Sequence, residues 1–284
     1  MNEEFFKLSQ REHFLGSRLE IVDVDLEKNP EILGEFINNS NIKQSFKNKN
    51  FNEHLFKDGA SLIYPKAYSN SGLISTLVKN EKQTIIASLH PFFNEIGLNY
   101  RGEISEVNVW ESGVDAQICF DLDINEITFY ETSFLENREF YKSNTKFQAR
   151  IYGVSYKASF LKDKKIETIV NEKYAEAFDK KVGEAMTWHT GSMSAFLPLD
   201  NSGGDIDEYE VCGKISSIRK LKLDFCDKFA YVCTIDCMRG FDDFYEFEIV
   251  ITQENWSEKT PPQIDSYIHL RCFLPVKLFK KIFF

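Results

Sequence analysis

The string Trp188-His189-Thr190-Gly191-Ser192-Met193-Ser194 sets an imidazole among hydroxyls and a glycine, the ingredients of nucleophilic hydrolysis. The elbow Gly-x-Ser-x-Gly that exposes such a nucleophile is missing, because Met193 occupies the place two residues after Gly191. A catalytic histidine also needs an orienting carboxylate, which this string does not contain. A loop leading into a strand over Ala195–Leu199 is the expectation for it. The five histidines, His13, His54, His90, His189 and His269, include no helical His-x-x-x-His pair. His269 alternates with Ile268 and Leu270 and is expected to point away from them on a strand.

Metal chemistry finds no pattern either. The six cysteines, Cys119, Cys212, Cys226, Cys233, Cys237 and Cys272, contain no Cys-x-x-Cys. Several lie inside apolar runs and read as buried, reduced thiols. Asp200-Asn-Ser-Gly-Gly-Asp205-Ile-Asp207-Glu208 gathers oxygen donors. An EF-hand loop needs a glutamate at position twelve, where this string has Val211. It reads as a solvated linker. No phosphate-binding loop or dinucleotide fingerprint occurs, so no cofactor and no catalytic role are expected.

One constellation does suggest binding. Lys214, Arg219, Lys220 and Lys222 precede Phe229, Tyr231, Phe241, Phe244 and Tyr245. Cations interleaved with aromatics neutralise phosphates and stack bases in a single-strand groove. Lys214, Arg219, Lys220, Lys222, Tyr231 and Phe244 are the candidate nucleic-acid surface. The net charge of −10 opposes that reading, since such binders draw affinity from cations laid on phosphates. An acidic surface suits a basic protein partner, whose encounter it accelerates.

The elements that position these groups read as mainly strands. Phe occurs 26 times in 284 residues, beside 12 Tyr, and both favour pleated, half-buried surfaces. Residues 18–26 alternate apolar and acidic side chains as a half-buried strand does. Asn29-Pro30-Glu31 opens a short helix. Residues 39–58 read as irregular surface. Leu73–Val78 and Gln83–His90 are two segments about the turn Lys79–Lys82, the second ended by Pro91. Lys165–Met186 carries Ile166, Ile169, Val170, Tyr174, Ala177, Phe178 and Val182 at amphipathic helical spacing. The tail Val276–Phe284 is expected to close the fold as a strand or helix. No signal-peptide pattern and no run of about 20 apolar residues appears, so a membrane is not expected and the cytoplasm is the default.

Two stretches share an order of features. Gly102-Glu-Ile-Ser-Glu-Val107 and Gly213-Lys-Ile-Ser-Ser-Ile218 each open a unit. Ala116-Gln-Ile-Cys119 and Ala230-Tyr-Val-Cys233 follow, then aromatic strands over Ile127–Phe134 and Phe244–Thr252. Alternating strands over Phe147–Tyr152 and Tyr267–Phe273 end the units. Pro261-Pro262-Gln-Ile-Asp-Ser-Tyr-Ile268 resembles the entry to a late strand of the oligonucleotide/oligosaccharide-binding (OB) barrel, with Ile264 in place of a glycine. The resemblance is to a fold and implies no function.

The resulting expectation is an α+β, mainly β protein with two tandem small OB-like β-barrels joined by a helix. It has a small N-terminal α/β segment (1–98), a first OB-like unit (99–160), a connecting helix and linker (161–204) and a second OB-like unit (205–284). The expected role is non-catalytic protein–protein binding that neutralises or assists a basic partner. The alternative is single-stranded nucleic-acid binding through the second unit.

Overall fold

In the computed structural model the described residues are 6–9, 19, 31–47, 58–65, 69–79, 83–122, 125–142, 146–171, 175, 180–200, 204–239 and 244–279. Of the strand expected over 18–26 only Leu19 is among them, and it is fully buried. The helix expected after Pro30 is present as α1 (Glu31–Asn39), whose Phe36 packs on Tyr64 with ring centroids 5.2 Å apart.

Strands β2 (Asn41–Lys47), β3 (Asp58–Tyr64), β4 (Ser71–Lys79) and β5 (Thr84–Phe93) form an antiparallel sheet in chain order. Two expectations change here. Residues 41–47 are a strand and not irregular surface. β2 is a sheet edge with exposed Ile42, so its polar composition reflects solvent on that edge and not a loop. Pro91 does not end β5 but pairs with Leu73 inside it. β5 is the opposite edge, where a missing N–H costs no ladder bond.

Five strands close a barrel: β6 (Leu98–Val109), β7 (Ala116–Asp121), β8 (Glu126–Glu131), β17 (Pro275–Phe279) and β9 (Lys146–Phe160). β6 pairs β7 and β7 pairs β8, both antiparallel. β8 pairs β17 in parallel, β17 pairs β9, and β9 returns to β6. This is an OB-like barrel, filled by Ile104, Val107, Ile118, Phe120, Phe129 and Ile151, all essentially without solvent exposure. Beside it run β1 (Phe6–Leu8), parallel to β6, and the short helix α2 (Phe134–Asn137).

The expectation of two tandem barrels is overturned, because the described residues form one closed five-stranded barrel. Residues 99–160 do not complete it, since its fifth strand comes from the C-terminal end of the chain. Residues 205–284 make no second closed barrel of their own. Their strands β13 (Glu208–Lys222), β14 (Phe229–Arg239), β15 (Phe244–Thr252) and β16 (Tyr267–Phe273) form a sheet with β12 (Ala195–Pro198) on its edge. β16 pairs the C-terminal half of β9, and β15 meets β9 over three residue pairs only. The 15-residue β9 therefore serves both sheets, which a reading of separate units could not foresee.

The helix expected over Lys165–Met186 is corrected at its ends, which pair as an antiparallel ribbon, β10 (Lys165–Ile169) with β11 (Ala185–His189); between them Ala175, the one described residue of 172–179, is helical. Ile166, Thr168 and Ile169 are β-branched and favour extended backbone. Ile166, Ile169 and Val182 lie exposed instead of forming a buried helical face. Tyr174, Ala177 and Phe178 fall outside the described residues. No helix among the described residues is long and apolar enough to cross a membrane.

Candidate functional site

A cleft of about 480 Å³ lies on the outer face of β6, β7 and β8. That volume is within the range of ligand sites. Strand alternation sets its floor. Ile104, Val107, Ile118 and Phe120 point into the barrel, so Glu106, Asn108, Cys119, Glu126 and Thr128 point outward into the cleft. Phe196, Pro198, Asp200, Ile206 and Tyr209 form the facing wall.

Tyr209 ties wall to floor. Its hydroxyl accepts the Thr128 N–H at 2.7 Å and donates to the Thr128 carbonyl at 3.1 Å. Phe196 stacks on Tyr209 at 4.4 Å between centroids. The cleft is thus held by the packing of the barrel against the second sheet.

Its charge is negative. Glu106, Glu126 and Asp200 line it, and the Ser105 hydroxyl donates to Glu126 at 2.6 Å. Lys7 of β1 ion-pairs with Glu106. Cys119 lies on the floor beside Asn108 Nδ2 at 3.7 Å and Thr128 Oγ1 at 3.4 Å. Burial pushes its thiol up to about 11; Glu126 and Glu106 push the same way and Lys7 opposes them. The thiol is therefore held in its protonated form at neutral pH.

The cations singled out in the sequence lie on the second sheet. Lys214 is ion-paired with Asp265 at 2.6 Å, Arg219 with Glu248 at 2.9 Å and Lys222 with Asp227 at 3.5 Å. Lys220 is exposed, opposite Tyr231 on β14. Alternation sends Lys220 and Lys222 to one face of β13 and Arg219 to the other. Tyr231 is half-buried against the core. Phe244 opens β15 opposite Arg239.

A second polar region separates the β2–β5 sheet from the barrel. Gln44, Ser61, Thr76 and His90 face Asp115, Glu131 and Ser133 around a small opening, with Lys43 and Glu136 ion-paired at 2.7 Å on its rim. Glu131 is fully buried. Its carboxylate accepts from Ser133 N–H at 3.1 Å, Asn137 Nδ2 at 3.2 Å and Leu278 N–H at 3.2 Å. Burial outweighs these bonds and raises the acid to about 8. Gln117 is fully buried with neither amide atom hydrogen-bonded.

The histidine string has its carboxylate, since His189 Nδ1 lies 3.0 Å from Asp163, which also accepts the Gly191 N–H at 2.9 Å. The His189 bond, first, and that N–H hold Asp163 below the usual carboxylate range. Of the neighbouring hydroxyls, Thr190 donates to the Lys162 carbonyl and Ser194 to that of Asp236. His269 sits against Glu210, 2.5 Å away. Among the described residues no group of three or more His, Cys, Asp or Glu side chains is arranged to hold a metal. All six thiols are free.

Sequence reasoning missed Lys7, Glu106, Glu126, Asp200 and Tyr209 as members of one site. The available signal was the acidic character of the first unit, which marks a cation-binding surface as well as it counts against phosphate. No protein-family model, no curated protein and no solved structure matches the chain.

Proposed function

We propose that this chain is a non-catalytic binding protein that receives a basic segment of a protein partner in the acidic cleft, neutralising or assisting that partner. The observation that carries this reading is Glu106 and Glu126 on the outer face of the barrel with Asp200 on the facing wall, Glu106 being already ion-paired with Lys7. Carboxylates focused in a concave, partly apolar site attract cations and fix their position. Phe196, Pro198, Ile206 and Tyr209 add apolar contact for the stems of lysine or arginine. The single-stranded nucleic-acid alternative has less support, because three of its four cations are already matched to carboxylates.

Fluorescence anisotropy with a labelled ten-residue lysine-rich peptide and a labelled single-stranded oligonucleotide tests the reading. The expected result is saturable peptide binding that falls at least about tenfold in Glu126→Lys, a change of sign in one close charge pair. Oligonucleotide binding that weakens in Lys220→Glu, with no peptide binding, would sink the proposal and favour the alternative.

A further inference from the structure

We infer that the cleft recognises its partner by strand addition, taking an extended segment of alternating apolar and basic residues along β6, in the place that β1 occupies within this chain. The inference rests on the reading above and names the shape and chemistry of the occupant.

β6 has two kinds of neighbour along its length. Leu98–Glu103 pairs with β9, while Glu103–Val109 pairs with β7. Beyond Glu103, β9 has left, and the edge of β6 turned away from β7 is taken by β1, with Phe6, Lys7 and Leu8 opposite Val107, Asn108 and Val109. The Ser9 N–H extends the pairing by a bond of 2.7 Å to the Val109 carbonyl. Three residues make a minimal strand, shorter than the usual five or six or so.

The side chains of β1 give the pattern an occupant must match. Phe6 packs against the barrel core. Lys7 stands opposite Asn108, a residue of the cleft floor, and so turns over the cleft to Glu106. Leu8 turns away and is 57% exposed. Apolar, basic, apolar is therefore the order that fits, with main-chain bonds giving affinity and alternate side chains giving specificity. The β1 ammonium pairs with Glu106, and Glu126 lies on the same floor. A longer strand with two or three cations reaches both carboxylates, and that gain is what is set against displacing β1.

Full-length protein and two labelled ten-residue peptides test this. One peptide alternates valine and lysine; the other has the same composition in two blocks. Binding is compared in the wild type, in Lys7→Gln, in a Phe6→Gly/Lys7→Gly double variant that weakens β1, and in Glu126→Lys. The expected result is that the alternating peptide binds at least about tenfold tighter than the block peptide, and tighter again by about fivefold when β1 is weakened, because the competing closed state is removed. Hydrogen exchange should show residues 6–9 losing protection as the alternating peptide binds to the wild type, while Val107–Val109 keep theirs. If the double variant fails to fold, Lys7→Gln and the exchange pattern decide. Equal affinity for the two peptides, or continued protection of residues 6–9 at saturation, overturns strand addition. In that case loss of binding in Glu126→Lys still upholds the acidic cleft, whereas no binding of either peptide to any folded form removes the cleft reading itself.

Discussion

Ser105 in the barrel and Ser216 in the second sheet each sit on a bulge, between Ile104 and Glu106 and between Ile215 and Ser217. Each hydroxyl reaches across its neighbour strand: Ser105 to the Cys119 carbonyl at 3.2 Å and Glu126 at 2.6 Å, Ser216 to the Thr234 carbonyl at 3.4 Å and Glu246 at 2.8 Å. A Cβ on Gly102 would lie 2.1 Å from the Asp121 carbonyl, and one on Gly213 2.4 Å from that of Asp236. The Gly-x-Ile-Ser motif thus specifies one local geometry, a close strand crossing followed by a bulge. It does not specify what surrounds that geometry. In the barrel Glu126 opens onto the cleft. In the second sheet Glu246 lies beside Asp236, whose acid is raised first by burial and then by Glu246, while Lys214 on the same row is held by Asp265. Like motifs give an accessible acidic site in one region and an internally balanced surface in the other.

Several substitutions break or sharpen this comparison. The largest effect is expected at the shared glycines. Gly102→Val and Gly213→Val force a side chain into backbone carbonyls, and each should destabilise by about 3 kcal/mol or more in urea unfolding. Equal losses would show that both crossings carry their sheets; a mild Gly213→Val would show the second sheet yielding where the closed barrel does not.

Glu131 separates the regions next, because it is at the barrel seam beside β17 and has no counterpart in the second sheet. Burial holds its folded pKa at about 8, above the ordinary glutamate value of 4.5. Over the interval between them the folded state holds a proton that the unfolded state has released. Stability therefore falls as pH rises through that window, by a few kcal/mol or so, and levels off above it. Glu131→Gln should flatten this slope and stabilise the protein at pH 8 relative to wild type. An unchanged slope in thermal melts between pH 5 and 8 would show that Glu131 does not carry it.

Tyr209→Phe removes the clamp by which the second sheet holds β8. A loss of about 1–3 kcal/mol is expected, from two bonds and a re-exposed pair of backbone groups. Weaker peptide binding should accompany it if the cleft wall depends on that clamp. The smallest effect is expected from Lys222→Ala, whose exposed ion pair contributes less than about 1 kcal/mol.

Much of the strand pattern was legible because period-two alternation is a local property. Phe244–Thr252 and Tyr267–Phe273 are strands with the bounds read from sequence, and the ends of Lys165–Met186 depart from the expected helix because exposed β-branched residues on a ribbon mimic helical spacing. The match of Cys119 with Cys233 was one residue out of step. Ile104 pairs Phe120 and Ile215 pairs Ile235, which sets Cys119 beside Thr234 in the comparison. A one-residue slip reverses the face, and Cys119 accordingly opens to the cleft while Cys233 is fully buried.

The amino-acid sequence by itself determined the β-rich class, the paired Gly-x-Ile-Ser motifs and the overall negative charge, because each follows from neighbouring residues or from composition. Only the tertiary structure decided which strand closes the barrel, since β17 reaches β8 and β9 across more than a hundred residues. It alone brought Lys7, Glu106, Glu126, Asp200 and Tyr209 to one cleft, because strand pairing and sheet packing, not sequence spacing, set the distances between them.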